Sequence, residues 1–255
     1  MVTWLAAVAP PLVAVQLKVV PVVSAGEGFR SLDAGSLLQG GSPYSQVTSV
    51  EAGFRSEVAR GRYVMSLTAF QTDVANEVSF DATEGGLSTE GASTRRGVVA
   101  SVMAKPVAWL FASSALSLQT ATYDTFEPST GHYVPDVPAF LWRTDVNVHG
   151  ELLRGRGAPY VGRLGVGYTL LGGRHVVDSI VAPTNNVVNL LASLRHGSVE
   201  FGVDVYNALG LQYADDTFYY VSNWSVRSGL QPASAAIHTV AAAPQTLLGT
   251  LTLYL

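Results

Sequence analysis

Five histidines, His132, His149, His175, His196 and His238, have the widest chemical range of any residues in this 255-residue sequence. None stands at a metal-ligand spacing from another, and there is no cysteine to complete a set; a metal site needs several convergent ligands. His149 shares an alternating face with Asp145, and a water-exposed polar residue is the simpler account of it. A Ser/His/Asp hydrolase needs a positioned nucleophile, and no G-x-S-x-G elbow occurs. Gly165-Val166-Gly167 is followed by no helical pattern, so it reads as a strand glycine pair and not as a phosphate cradle. The expectation is no enzyme, no metal and no cofactor. What remains is aromatic. The segment YADDTFYYVSNW (213–224) gathers Tyr213, Tyr219, Tyr220 and Trp224 in one long connection. Loops carry binding residues, and aromatic faces stack on planar and sugar ligands. These four are the candidate ligand contacts, with packing inside the loop as the competing role.

The elements that hold these residues alternate. In VEFGVDVY (199–206), Val199, Phe201, Val203 and Val205 fall on one face and Glu200, Gly202, Asp204 and Tyr206 on the other. Period 2 predicts a strand, and nine more stretches repeat it. The expected strands are 16–25, 46–58, 62–80, 94–104, 108–123, 140–149, 160–170, 188–195, 199–206 and 246–255. Connections after the second, fourth, sixth and eighth are short; Lys105-Pro106 is one of these turns, with proline pre-setting φ. Those after the odd-numbered strands are long, and 207–245 is the longest. One rim therefore has tight turns and the other large loops.

The composition is 48% hydrophobic and only 13% charged, where soluble domains carry about 25% charge. Mean hydropathy is +0.26, yet prolines and polar residues interrupt even the most apolar stretch, 2–23. High apolarity without a long apolar run is what membrane strands produce, because each shows only every second residue to lipid. The polar faces carry Glu51, Arg55, Arg143, Asp145, Arg163, Arg195, Glu200 and Asp204, which suit a water-filled lumen and would be costly in a dry core. A net charge of -4 with no basic face argues against a nucleic-acid partner. No basic residue precedes Lys18, so the start does not read as a secretory signal, and 1–15 have no assignment. The expected fold is all-β, an antiparallel transmembrane β-barrel portion of about ten strands. Two other readings stay open: a soluble secreted β-sandwich that binds carbohydrate, with polar faces outward, and a passive porin.

Six motifs then occur in order: AGEGFRS (25–31), VEAGFRSE (50–57), LTAFQTDVANEVSF (67–80), TRRGVV (94–99), GVDVYNALGLQY (202–213) and an amphipathic strand at the chain's end. In this order and at hairpin spacing the set resembles the C-terminal part of the barrel of TonB-dependent outer-membrane receptors, over about 16–255. Two positions depart from the family's pattern: Leu32 follows Ser31 where a proline is common, and the last residue is Leu255 where an aromatic is usual. The resemblance implies one partial barrel domain over 1–255, in the bacterial outer membrane, facing lipid. It implies uptake of a scarce small-molecule or glycan ligand (a siderophore, a corrinoid or a glycan). It also implies a TonB complex engaged only through a plug domain, for which these residues show no counterpart. Family barrels have about 22 strands, so ten form an arc that does not close alone, and transport is not expected from them unaided.

Overall fold

A computed structural model describes residues 17–31, 44–81, 86–127, 131–154, 157–222 and 234–254. The strands are β1 (Leu17–Ser31), β2 (Tyr44–Val58), β3 (Tyr63–Val74), β4 (Val78–Asp81), β5 (Gly86–Thr89), β6 (Ser93–Val107), β7 (Leu110–Glu127), β8 (Gly131–Tyr133) and β9 (Phe140–Leu153). They continue with β10 (Tyr160–Gly172), β11 (His175–Val177), β12 (Ile180–Val181), β13 (Asn185–His196), β14 (Val199–Tyr206), β15 (Ala214–Ser222), β16 (Ser234–Ala241) and β17 (Thr246–Leu253). Ten of them form a single antiparallel meander in the order β1-β2-β3-β6-β7-β9-β10-β13-β14-β17, with β8 attached to β7. These ten are the expected ones. The short connections β2–β3 (59–62), β6–β7 (108–109), β9–β10 and β13–β14 (197–198) all join strands at one end of the sheet.

The differences from the sequence reading are local and have physical reasons. β1 runs on through GEGFRS to Ser31, because pairing with β2 holds a glycine-rich segment extended. The expected third strand 62–80 stops at Val74, where the Ala75 and Asn76 amides bond back to the Gln46 carbonyl and the Ser45 hydroxyl. β4 and β5 then form their own hairpin, as do β11 with β12 and β15 with β16, so three long connections are structured ribbons. The second short turn is Ala108-Trp109 and not Lys105-Pro106. Pro106 falls inside the register shift between Ala104 and Val107, as expected of a residue with no ladder donor.

Cross-strand register makes both faces continuous. Val148, Leu164, Ala192 and Val203 form one row, and Trp142, Leu170 and Leu116 belong to the same face. Its side chains are bare: Leu164 is 61% exposed, Phe201 56% and Leu251 67%. Among the described residues the buried hydrophobics are only Val74, Ala121, Tyr123, Val134, Val176 and Ala182. A soluble protein does not leave so wide an apolar surface in water, and no second sheet lies against this one among the described residues, so the sandwich reading fails. The apolar face needs lipid. The other face carries all eight expected charges. A fifteen-residue strand such as β2 is about 50 Å long and, tilted by about 45°, rises about 35 Å, more than a hydrocarbon core of about 30 Å. The outer edges of β1 and β17 carry no strand partner among the described residues, so the sheet is an open arc.

Candidate functional site

Water-facing chemistry lies on the polar face and on the structures at its long-loop rim. On the polar face, Arg143 donates to Asp145 from Nε at 3.0 Å and Nη2 at 2.9 Å. This engages Asp145 with arginine and not with His149, whose own amide bonds to the Trp109 carbonyl. Ser193 Oγ and Tyr254 Oη donate to Glu200 at 2.7 and 2.6 Å, and the Arg195 guanidinium lies 4.0 Å from the Tyr254 ring centre. Charged-group hydrogen bonding of this kind holds a polar path in place across neighbouring strands.

At the loop rim the chain makes a polar knot. Arg174, only 6% exposed, donates from Nη1 to the Asp215 carbonyl at 2.9 Å and from Nη2 to that of Ala214 at 3.5 Å. Asn185 donates to the same Ala214 carbonyl at 2.8 Å, and the Asp136 amide bonds to the His175 carbonyl. One arginine between β10 and β11 thus fastens the β15–β16 ribbon to the sheet. Burial pushes the Asp136 carboxyl up to about 6; the nearby Asp216 carboxylate adds to this and Arg174 opposes it. Arg174 Nε, Asp136 Oδ1, His175 Nδ1, Asn185 Oδ1 and Thr217 Oγ1 are buried without a protein partner, so the knot has polar capacity to spare for water or a ligand.

The raised Asp136 value fixes a pH dependence. The closed knot keeps a proton that the opened loops release, so closure is favoured at low pH and weakens as pH rises from about 4 to about 6, then levels off. Protection factors for the amides of Val134, Asp136, Val137 and 214–218 should fall across that window, and Asp136→Asn should flatten the curve. An unchanged slope in Asp136→Asn removes the assignment.

Beside the knot, Asp178 anchors β8 to the β11–β12 hairpin. It accepts from the His132 amide at 2.6 Å, the Tyr133 amide at 3.2 Å and His132 Nδ1 at 2.8 Å. The His132 hydrogen bond leads the causes that hold its carboxyl below the usual value. Gly131, at φ +93°, lies against that carboxylate, where a Cβ would have no room. Tyr133 stacks on His175 with centroids 3.8 Å apart and planes within 6°. Val134 packs on Ala121 and Tyr123 in a small buried cluster.

The three described aromatic candidates, Tyr213, Tyr219 and Tyr220, have different surroundings. Tyr219 and Tyr220 alternate on β15: Tyr220 stacks on His238 at 3.7 Å, while Tyr219 is 39% exposed. Tyr213 stands at the ribbon's base, where its carbonyl accepts from the Ala242 amide, and Trp224 lies outside the described residues. Tyr219 is the one most open to a ligand among the three described. Sequence reasoning missed Arg174, Asp136 and Asp178, which sit in irregular segments with no period to mark them. Among the described residues, no three metal-ligating side chains converge.

A second cluster was also missed. Glu77, whose side chain is 3% exposed, pairs with Arg30 at 3.1 Å and Arg95 at 2.8 Å, and accepts from Ser93 Oγ at 2.7 Å. Arg30 comes from AGEGFRS, Glu77 from LTAFQTDVANEVSF and Arg95 from TRRGVV. Three of the six ordered motifs converge on one ion-pair cluster at the loop rim.

Comparison with known proteins agrees with this geometry. Residues 16–208 match the family described as TonB dependent receptor-like, beta-barrel. The sheet superposes on the ferric-catecholate import receptor Fiu of E. coli K12 with TM-score 0.63 at 16% identity, covering 92% of this chain and 33% of that one. The ferric preacinetobactin receptor BauA of Acinetobacter baumannii gives 0.63 at 14%, with 92% and 34% covered. The ferric yersiniabactin uptake receptor FyuA of Yersinia pestis gives 0.60 at 16%, also with 92% and 34% covered. No curated protein matches by sequence. The chain spans about a third of the length of these solved receptors. With its family match, its single meander and its bare apolar face, this chain belongs to the TonB-dependent receptor β-barrel family of the bacterial outer membrane.

Proposed function

We propose that residues 1–255 form one partial barrel domain of an outer-membrane receptor that takes up a scarce small ligand, a ferric siderophore ahead of a corrinoid or glycan. The observation that carries this is the segregation of the sheet: apolar side chains on one face, charged groups on the other, and the described loop ribbons at one rim. The loop ribbons would capture the ligand, with Tyr219 as the leading contact and Tyr213, Tyr220 and Trp224 around it. The Arg143–Asp145 and Glu200–Tyr254 groups would line its way inward. Further strands would close the arc, and a plug domain would bring energy from the TonB complex. The three solved receptors above are named for ferric siderophores, which supports that ligand class.

The test uses the full chain expressed in outer membranes. It should resist extraction by urea and alkaline carbonate. A ferric tris-catechol complex should quench its aromatic emission, and Tyr219→Ala should weaken the effect at least fivefold. Extraction into the soluble fraction would end the membrane reading. Quenching by cobalamin or an oligosaccharide in place of the ferric complex would move the ligand class.

A further inference from the structure

One cavity stands apart from the loops and the polar face. It has a volume of about 670 Å³ and lies over the short-turn ends of β9, β10, β13 and β14. Gly150 and Gly162 are direct cross-strand partners, and Gly162 is also opposite Leu194, which is opposite Phe201. Two adjacent glycines in an otherwise apolar row leave a trough two strands wide. Its walls are Trp109, Leu152, Leu164, Leu194 and Phe201. Leu152 leans over Gly162, its Cδ1 only 2.7 Å from where a Cβ would stand, while nothing lies within 4 Å of that point at Gly150. The walls are open to the outside: Trp109 is 54% exposed and Leu152 64%.

This trough faces the membrane, and its position in depth is marked. Trp109 occupies a short turn, where indoles sit at the level of lipid headgroups. The same rim carries Arg60 and Arg62 on the β2–β3 turn, Lys105 over the Phe111 ring, and Arg154, whose guanidinium is forked onto Glu151 at 2.7 and 2.9 Å. An apolar slot ending at a cation-bearing rim matches a lipid with a long hydrocarbon chain and an anionic head. We propose that the trough is a specific site for one glycerophospholipid of the leaflet at the short-turn rim, with an acyl chain lying over Gly150 and Gly162 and the phosphate at the level of the rim that bears Trp109, Arg60 and Arg62. The site depends on the membrane placement of the sheet and not on ligand capture at the loops, so the two readings fail separately. An ordinary lipid-facing surface exchanges its lipids freely; a trough that surrounds a chain on several sides holds one longer, because more apolar area leaves contact with bulk solvent or detergent when it fills.

The experiment is native mass spectrometry of the full chain, purified from outer membranes in dodecyl maltoside and washed through rising detergent. The wild type should keep one phospholipid after the bulk has gone. Gly150→Leu projects a side chain into open space in the trough and should cut that retention at least fivefold. Ala52→Leu, on the same apolar face but in β2, should leave it unchanged. If Gly150→Leu does not fold, Phe201→Ala, which removes a wall at a 56% exposed position, should lower retention instead. Wild type without bound lipid, or variants that keep as much as wild type, would overturn the proposal. So would a dimer in place of a lipid adduct that Gly150→Leu dissociates, since the trough would then be a contact between copies.

Discussion

Glu77→Ala should destabilise the loop end of β1, β2, β3 and β6 by about 2 kcal/mol, because it deletes an enclosed carboxylate and leaves the partly enclosed Arg95 without its ion-pair partner. The carboxylate is almost fully enclosed, and its two oxygens are divided between Arg30 on one side and Arg95 with Ser93 on the other. Removing it leaves Arg95, whose side chain is only 21% exposed, with Ser93 Oγ but no carboxylate, whereas Arg30 at 52% can turn to water. The loss should therefore come mostly from the Arg95 side. A double-mutant cycle decides this: coupling of Glu77 to Arg95 should exceed coupling to Arg30 by more than about 1 kcal/mol, given the small worth of exposed pairs. Glu77→Gln should cost less than Glu77→Ala, since an amide oxygen still accepts from Ser93. Urea midpoints in detergent micelles give the numbers. A Glu77→Ala shift below about 0.5 kcal/mol would show that the cluster is not a clamp.

Arg174→Ala should release the β15–β16 ribbon without disturbing the meander. The guanidinium reaches the Asp215 and Ala214 carbonyls from one fixed plane, and its positive charge offsets the Asp136 carboxyl. Losing it removes two charge-assisted hydrogen bonds, leaving the Ala214 carbonyl to Asn185 alone and the Asp215 carbonyl to water, at a cost of about 1.5–3 kcal/mol. Cleavage by a protease added outside should appear within 214–241 in Arg174→Ala, while 160–206 stays protected. Arg174→Lys should not restore protection, because a single ammonium cannot reproduce the forked contact. If Arg174→Ala and the wild type are cut alike, the ribbon is held by the sheet end and not by the knot.

The ten sheet strands were legible because most expose a two-residue period, cleanest in 140–149 and 199–206, and a membrane enforces that period from the outside. Val148, Leu164 and Val203 announce their face in sequence, before any neighbour is known. What was not legible follows the opposite rule. Arg174 and Asp136 act through carbonyls and amides far along the chain, and no period links 136, 174 and 215. Glu77 was hidden in another way: it sits where a strand was expected to continue, and only the bend at Ala75 turns it toward Arg30 and Arg95. The aromatic run was read as one cluster because its residues are adjacent. In a β ribbon adjacency means opposite faces, so Tyr220 goes to His238 and Tyr219 to the outside.

The unbroken register from β2 through β3 into the body of β6, and again from β13 through β14 to β17, turns the sheet into a parity code. Each strand residue is even or odd, and the two classes belong to different solvents. A one-residue insertion inside a strand would invert every position beyond it; placed before Arg143, it would send Arg143, Asp145, Asn147 and His149 into hydrocarbon, at about 2–4 kcal/mol for an arginine near mid-membrane. A two-residue insertion keeps the code and shifts only the length. Variation in this gene is thus constrained less by which residues change than by whether the change in strand length is odd, while the ribbons at the loop rim are exempt.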